Sequence, residues 1–256
     1  MKADLSDTTF LILIRLDSIH RLENILTIVK QLKHSFSTNI IVREADSYNN
    51  GILKYLLKKH ISYQFVEDKD PVLYKTKHIN QMIQQINTPF IALWDADIVV
   101  DKKIIIECIE KLRMKEVDVA YPYNGICYDI LGGIRTLFLK KTNINILYRH
   151  IDKLNFLYHP PLYGGAVLLN RSKFIKAGME NEKHYGWGCD DFDRYERFKI
   201  LEYNIFRSNK CLFHLYHSRE KNSYFRNENS RNISVSERYK NHNSSKFELL
   251  KNDQNK

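Results

Sequence analysis

The chain has 256 residues, enough for one large α/β domain or for a domain with a tail, and 43% of them are hydrophobic, enough for a substantial core. A mean hydropathy of −0.45, with no apolar run near the roughly 20 residues that a bilayer helix requires, excludes a membrane-spanning helix. A formal net charge of +10 leaves nucleic acid, anionic lipid and a phosphorylated ligand open as partners, beside a fourth reading in which codon bias inflates lysine.

The elements follow in chain order. Residues 9–14 form a continuous apolar run that reads as a buried parallel strand. Asp17 and Ser18 make a turn and helix cap, and Ile19, Leu22, Ile25, Leu26, Val29 and Leu32 then mark one face of a helix to residue 36. Strands are predicted over 39–42 and 62–66, with a short helix over 51–59 between them. A helix over 74–86, a strand over 89–94, a helix over 103–114 and a strand over 117–121 continue the alternation. Such alternation implies right-handed crossovers and a mainly parallel sheet flanked by helices. Ligands then bind at the carboxyl ends of the strands, where Asp17, Glu44, Asp46, Asp95 and Asp97 fall.

Beyond Pro122 the pattern weakens, and 123–159 reads as a helix with a mobile loop. A strand over 164–169, entered through Gly164 and Gly165, precedes helices over 171–177 and 190–201 and an alternating strand over 211–217. From Ser218 the chain turns polar and basic, which predicts a tail with at most partial helix near Glu248. The domain division expected is 1–219, with a nucleotide-binding half at about 9–121 and an acceptor and metal half at about 122–219, followed by the tail at 220–256. Cys108, Cys127, Cys189 and Cys211 form no CxxC pair, and the N-terminus lacks the apolar core of a signal peptide. Reduced thiols and a cytoplasmic location are expected.

Three clusters carry chemistry. Asp95 and Asp97 point to one face at the end of an apolar strand, where they serve either as solvated turn carboxylates or as partners of a cation and a sugar hydroxyl. His214 and His217 face opposite sides of a regular strand but reach one ion if the segment bends after His214. Carboxylate and imidazole together suit Mn²⁺ or a related divalent ion better than zinc, since no thiolate pair joins them. Asp190 and Asp191 follow Gly186-Trp187-Gly188 at a helix start, where they act as dipole-stabilised caps or as a base for an acceptor hydroxyl. Trp187 reads either as a core residue or as a hinged lid. Lys77 is either a diphosphate contact or part of a solvated helix face.

Gly186-Trp-Gly-Cys-Asp-Asp, the upstream Tyr163-Gly-Gly-Ala166 and the downstream His217-Ser-Arg219 resemble the β-1,4-galactosyltransferase group. They are also similar to bacterial chondroitin-polymerase-type domains, family 2-like glycosyltransferases. The resemblance spans spaced motifs from about Phe10 to Arg219. It implies the GT-A (Rossmann-like) fold and metal-dependent, inverting transfer from a UDP-sugar, of galactose or N-acetylgalactosamine type, to a glycan or lipid-linked glycan. It further implies Mn²⁺, or another divalent cation such as Mg²⁺, and a role in bacterial surface polysaccharide synthesis; the basic tail after Arg219 would serve to hold the enzyme peripherally near anionic lipid at the inner face of the membrane. Carried over, Asp97 and His217 are metal ligands, joined by His214 where the animal enzymes have methionine. Asp191 is the base, while Asp190, Trp187 and Gly188 hold the acceptor. Arg15, Asp17, Glu44, Asp46, Lys77, Asp95, Gly164, Gly165 and Trp187 line the donor. Two competing readings are a two-cation nucleotidyltransferase or phosphohydrolase using Asp95, Asp97 and Asp191, and a nucleic-acid binder using Arg226, Arg231, Arg238 and Lys240.

Overall fold

The computed structural model describes residues 1–57, 61–186, 188–219 and 224–252. The chain runs β1 (Ala3–Ile14), α1 (Ile19–Ser35), β2 (Phe36–Asp46), α2 (Ile52–Leu56), β3 (Ser62–Glu67), α3 (Lys75–Gln84), β4 (Phe90–Trp94), β5 (Ile98–Val99), α4 (Lys102–Arg113) and β6 (Val119–Tyr121). It continues with β7 (Cys127–Ile130), α5 (Gly132–Lys141), α6 (Asn145–Arg149), a 3₁₀ turn (Ile151–Lys153), β8 (Asn155–Phe156), β9 (Ala166–Asn170), α7 (Arg171–Lys176), α8 (Asp190–Ile200), β10 (Ile205–Arg207), β11 (Leu212–Leu215), α9 (Glu228–His242) and α10 (Lys246–Asn252).

The main sheet has seven strands in the order β10-β6-β9-β4-β1-β2-β3. Its pairs are parallel except where β9 lies antiparallel between β4 and β6. The mainly parallel α/β reading therefore holds. The apolar run of β1 is buried at Phe10, Leu11, Ile12 and Ile14, as a strand covered on both faces requires. α1 starts where the Ser18 hydroxyl accepts from the Arg21 amide, and it packs Ile25, Ile28, Val29 and Leu32 inward.

Between β6 and β9, the segment expected as a helix and loop holds the helices α5 and α6 and also supplies β7 and β8 to a second sheet, whose other strands, β5 and β11, come from outside it. The four strands of this sheet run β5-β11-β7-β8. Two-residue strands such as β5 and β8 are too short to leave a period in the sequence. The strand expected over 211–217 ends at Leu215, because the Leu215 amide donates to Asp97 O and the Tyr216 amide to Ile130 O.

The segment expected as a polar tail is corrected as well: α9 is a 15-residue helix. Its Asn227 cap accepts from the Ser230 amide. Its inward residues are Ser234 and Asn241, two polar side chains seven apart that dock on the α8 side of the molecule. An apolar period could not reveal it, because the buried face is held by hydrogen bonds. Among the described residues no helix is long and apolar enough to cross a membrane.

Candidate active site

A cavity of about 620 Å³ opens at the carboxyl ends of β1 and β4 and extends to the first turn of α8 and the end of β11. Asp95 follows β4 directly. Its amide donates to Gly165 O, and the Trp94 indole donates to Ile98 O, so the Asp95-Ala-Asp97 turn is held from both sides. The Leu215 amide on Asp97 O then ties this turn to β11.

That tie assembles a cation site. His217 Nε2 lies 3.2 Å and His214 Nε2 3.8 Å from Asp97 Oδ2. The strand's end at Leu215 resolves the geometric alternative: the chain bends, and both rings face one carboxylate. His214 Nδ1 sits 2.7 Å from Asp129 Oδ1, its register partner on β7, and His217 Nδ1 sits 2.8 Å from Ser218 O. With Nδ1–H engaged in this way, each Nε2 lone pair is free to coordinate. Among the described residues, Asp97, His214 and His217 are the one group of three potential ligands whose atoms lie within 4.8 Å of one another. Burial opposes charge on Asp97, but His214 and His217 outweigh it and hold the carboxyl well below its usual range. Two imidazoles and a carboxylate fit Mn²⁺; Mg²⁺ prefers an all-oxygen shell.

Opposite stand Asp190 and Asp191, in the first turn of α8. Asp191 bonds Arg194 at 2.6 Å, and Arg194 also bonds the buried Glu180. Burial pushes the Asp191 carboxyl up, yet Lys75 and Arg194 prevail and set it at about 2. Lys75 is the hub of the cleft: its Nζ lies 3.4 Å from Asp190, 3.7 Å from Asp191 and 3.8 Å from Asp95. Asp95 lies deep in the cleft but is open to water there, its side chain 44% exposed. Enclosure and the neighbouring Asp97 and Asp191 raise its carboxyl to about 6 against the pull of Lys75. Gly164 is required by close approach, since a Cβ there would stand 2.2 Å from Asp191 Oδ2.

The cleft thus brings together Asp95, Asp97, Gly164, Gly165, Gly188, Asp190, Asp191, His214 and His217, with Arg15 on its wall. Arg15 is committed to structure: it donates to Ala45 O and Asp70 O and pairs with Asp68 at 2.8 Å. Four expected donor contacts do not line the cavity. Asp17 pairs with Arg21 at 3.0 Å, and it is Arg21 that reaches the wall. Glu44 is buried and accepts from the Tyr63 hydroxyl on the neighbouring strand. Asp46 caps the Ser47 amide. Lys77 is exposed, with its ammonium 5.8 Å from the Tyr74 ring centre. Two positions on a helix differ by about 200°, so when Lys77 faces solvent Lys75 turns inward. Trp187, and with it the lid expectation, lies outside the described residues.

Sequence reasoning missed Lys75, Asp129, Glu180 and Arg194. Only Arg194 left a signal, its i+3 spacing from Asp191 on the same helix.

Residues 145–221 match the profile of a family described as the N-terminal domain of galactosyltransferase. A search of curated protein sequences finds no match. Among solved structures, the chain is similar to a crystal structure of GalNAc-T7 with UDP, GalNAc and Mn²⁺, at a TM-score of 0.59 and 9% identity. The similarity covers 90% of this chain and 47% of that one, so the chain spans about half the length of its structural relative. The fold is GT-A, and it resembles the galactosyltransferases. In this GT-A frame the profile match covers both the α8 carboxylates and the His214 and His217 pair. The antiparallel β9 lies beside β4, where Gly165 steadies the Asp95 turn.

Proposed function

We propose that the chain is a divalent-metal-dependent glycosyltransferase that moves a sugar from a UDP-sugar to a hydroxyl of a glycan acceptor, with inversion. The observation that carries this reading is one cleft with two chemically distinct ends, the Asp97, His214 and His217 site and the Asp190 and Asp191 pair, of which all but Asp97 fall within the galactosyltransferase-like residues 145–221. The relative crystallised with UDP, GalNAc and Mn²⁺ supports a UDP-sugar of galactose or N-acetylgalactosamine type.

Asp97, His214 and His217 would hold the cation. When bound, that ion supplies positive charge against the charge gathering on the departing diphosphate. The protein's own residues do the rest. Lys75, placed between Asp95 on one side and Asp190 and Asp191 on the other, offers a second positive charge. Asp190 orients the acceptor sugar. Asp191, ionised at neutral pH, accepts the proton of the acceptor hydroxyl. That oxygen bonds to the anomeric carbon on the face opposite UDP while the bond to the diphosphate breaks, and configuration inverts.

Thermal stability measured with nucleotides and UDP-sugars, each with Mn²⁺ or EDTA, tests the proposal. A shift with UDP and one UDP-sugar that disappears in EDTA supports it, and the product's anomeric coupling in NMR reads the inversion. Stabilisation by DNA or RNA with no uridine-nucleotide effect would overturn it. Neither rival reading gains support: Asp191 pairs with Arg194 and lies near Lys75, outside the one three-ligand cluster among the described residues, while Arg226 pairs with Asp70 and Arg238 lies on the Phe192 ring. The reading extends to bacterial surface polysaccharide synthesis at the cytoplasmic face of a membrane, with a lipid-linked acceptor. Co-sedimentation with anionic vesicles tests that setting.

A further inference from the structure

Residues 185–192 carry the acceptor end of the cleft, and both ends of this segment are gripped by one helix outside it. At the upstream end, His184 is buried, and its Nδ1 lies 2.6 Å from Ser234 Oγ on α9. The Ser234 hydroxyl also lies 3.4 Å from Gly188 O, and His184 Nε2 lies 3.5 Å from Asp193 Oδ2, so the imidazole joins the two ends of the segment. At the downstream end, Asn241 on the same α9 face donates to the buried Asp193 Oδ1, while Arg197 holds the other carboxylate oxygen at 2.9 Å. Ser234 and Asn241 are seven residues apart, two helical turns, which puts them on one stripe.

A backbone contact reinforces it. Gly186 bridges to Phe225, and a Cβ at Gly186 would stand 2.9 Å from Phe225 Cα. Gly186 (φ 99) and Gly188 (φ 97) otherwise make this the most permissive backbone in the site. The His184 carbonyl also accepts from Thr76 Oγ1 at 2.9 Å, next to Lys75 on α3. The lysine hub and the α8 carboxylates are thereby referenced to the same anchored point.

We infer that Ser234 and Asn241 are positioning residues for the acceptor end of the site: α9 clamps residues 184 and 193 so that Asp190 and Asp191 are held in place against the cleft. They touch neither donor nor acceptor and act through His184, Gly188 and Asp193. None of their partners is part of the Asp97, His214 and His217 cluster, so the clamp separates acceptor geometry from cation and nucleotide binding. The inference rests on the transferase reading for its kinetic consequence, but the clamp itself is tested without it.

The experiment uses the full chain as wild type, Ser234→Ala, Ser234→Thr and Asn241→Ala. Hydrogen–deuterium exchange is followed at amides 186–192 and in β1 and β4, together with UDP affinity in Mn²⁺ and transfer kinetics. The expected result is at least tenfold faster exchange at 186–192 in Ser234→Ala and Asn241→Ala, with the strands unchanged and recovery in Ser234→Thr. Transfer should fall at least tenfold through a higher acceptor KM and lower kcat, while UDP affinity stays within about twofold. Unchanged exchange at 186–192 overturns the clamp, as does a loss of exchange protection spread equally over the strands. If wild type binds no UDP, the transferase reading fails while the exchange result still decides the clamp.

Discussion

Asp129 shows how much a side chain outside the cation site can do. Its bond to His214 Nδ1 fixes the tautomer that leaves Nε2 available. Asp129→Asn is expected to weaken Mn²⁺ binding about 10- to 100-fold, and calorimetric titration with Mn²⁺ measures it. His217→Ala should go further and remove Mn²⁺-dependent stabilisation by UDP. Gly164 is the most exacting position on the acceptor side. Gly164→Ala places a methyl where Asp191 Oδ2 now lies, so transfer is expected to drop at least 100-fold, with UDP binding preserved. Equal losses of both would point to a damaged fold instead.

Asp191 also couples the site to pH. Its folded pKa is lowered to about 2, so between the ordinary carboxylate value of about 4 and that point the unfolded chain binds more protons than the native one. Stability contributed by Asp191 is present above pH about 4 and is lost as pH falls toward 2. Asp191→Asn should cost roughly 1–2 kcal/mol at pH 7, shrinking toward zero near pH 2, as read by urea unfolding across that range. A pH-independent difference would show that Arg194 and Lys75 do not hold the charge.

At the scale of elements, the parallel half of the sheet follows from its own residues, while the antiparallel direction of β9 follows from its neighbours. Leu168, fully buried on β9, packs between β4 and β6, and Leu168→Ala is expected to cost about 2–5 kcal/mol in denaturant unfolding. At α1 the Ser18 cap is local, and Ser18→Ala should cost about 1 kcal/mol. Apart from β5, the elements from β1 to β6 were legible because each is a run of one period bounded by polar turns. β5, β8 and β10 were not, because two or three residues carry no period and their existence depends on the strand beside them. α9 failed for a different reason: the stripe it buries is Ser234 and Asn241, which hydropathy reads as surface.

For the molecule as a whole, the C-terminal region is part of the folded unit. The Arg226–Asp70 pair at 2.7 Å, the Gly186 bridge to Phe225 and the α9 contacts tie it to the loop after β3 and to α8. Truncation after Arg219 is therefore expected to lower the melting temperature by several degrees and to abolish transfer on soluble acceptors, as scanning calorimetry and an activity assay would show. Survival of full activity would return this region to the role of an independent tail.

By itself the sequence determined the order of strands and helices in the first half, the parallel direction of their sheet, and the ends at which acids collect, because these depend on local period and on the handedness of crossovers. It also marked Asp97, His214, His217, Asp190 and Asp191, since their spacing is a property of the chain. Only the tertiary structure decided which neighbours these residues have. Lys75 and not Lys77 enters the cleft, Glu44 turns to Tyr63, Asp129 stands behind His214, and α9 brackets the acceptor segment, because each depends on residues brought together from far apart in the chain.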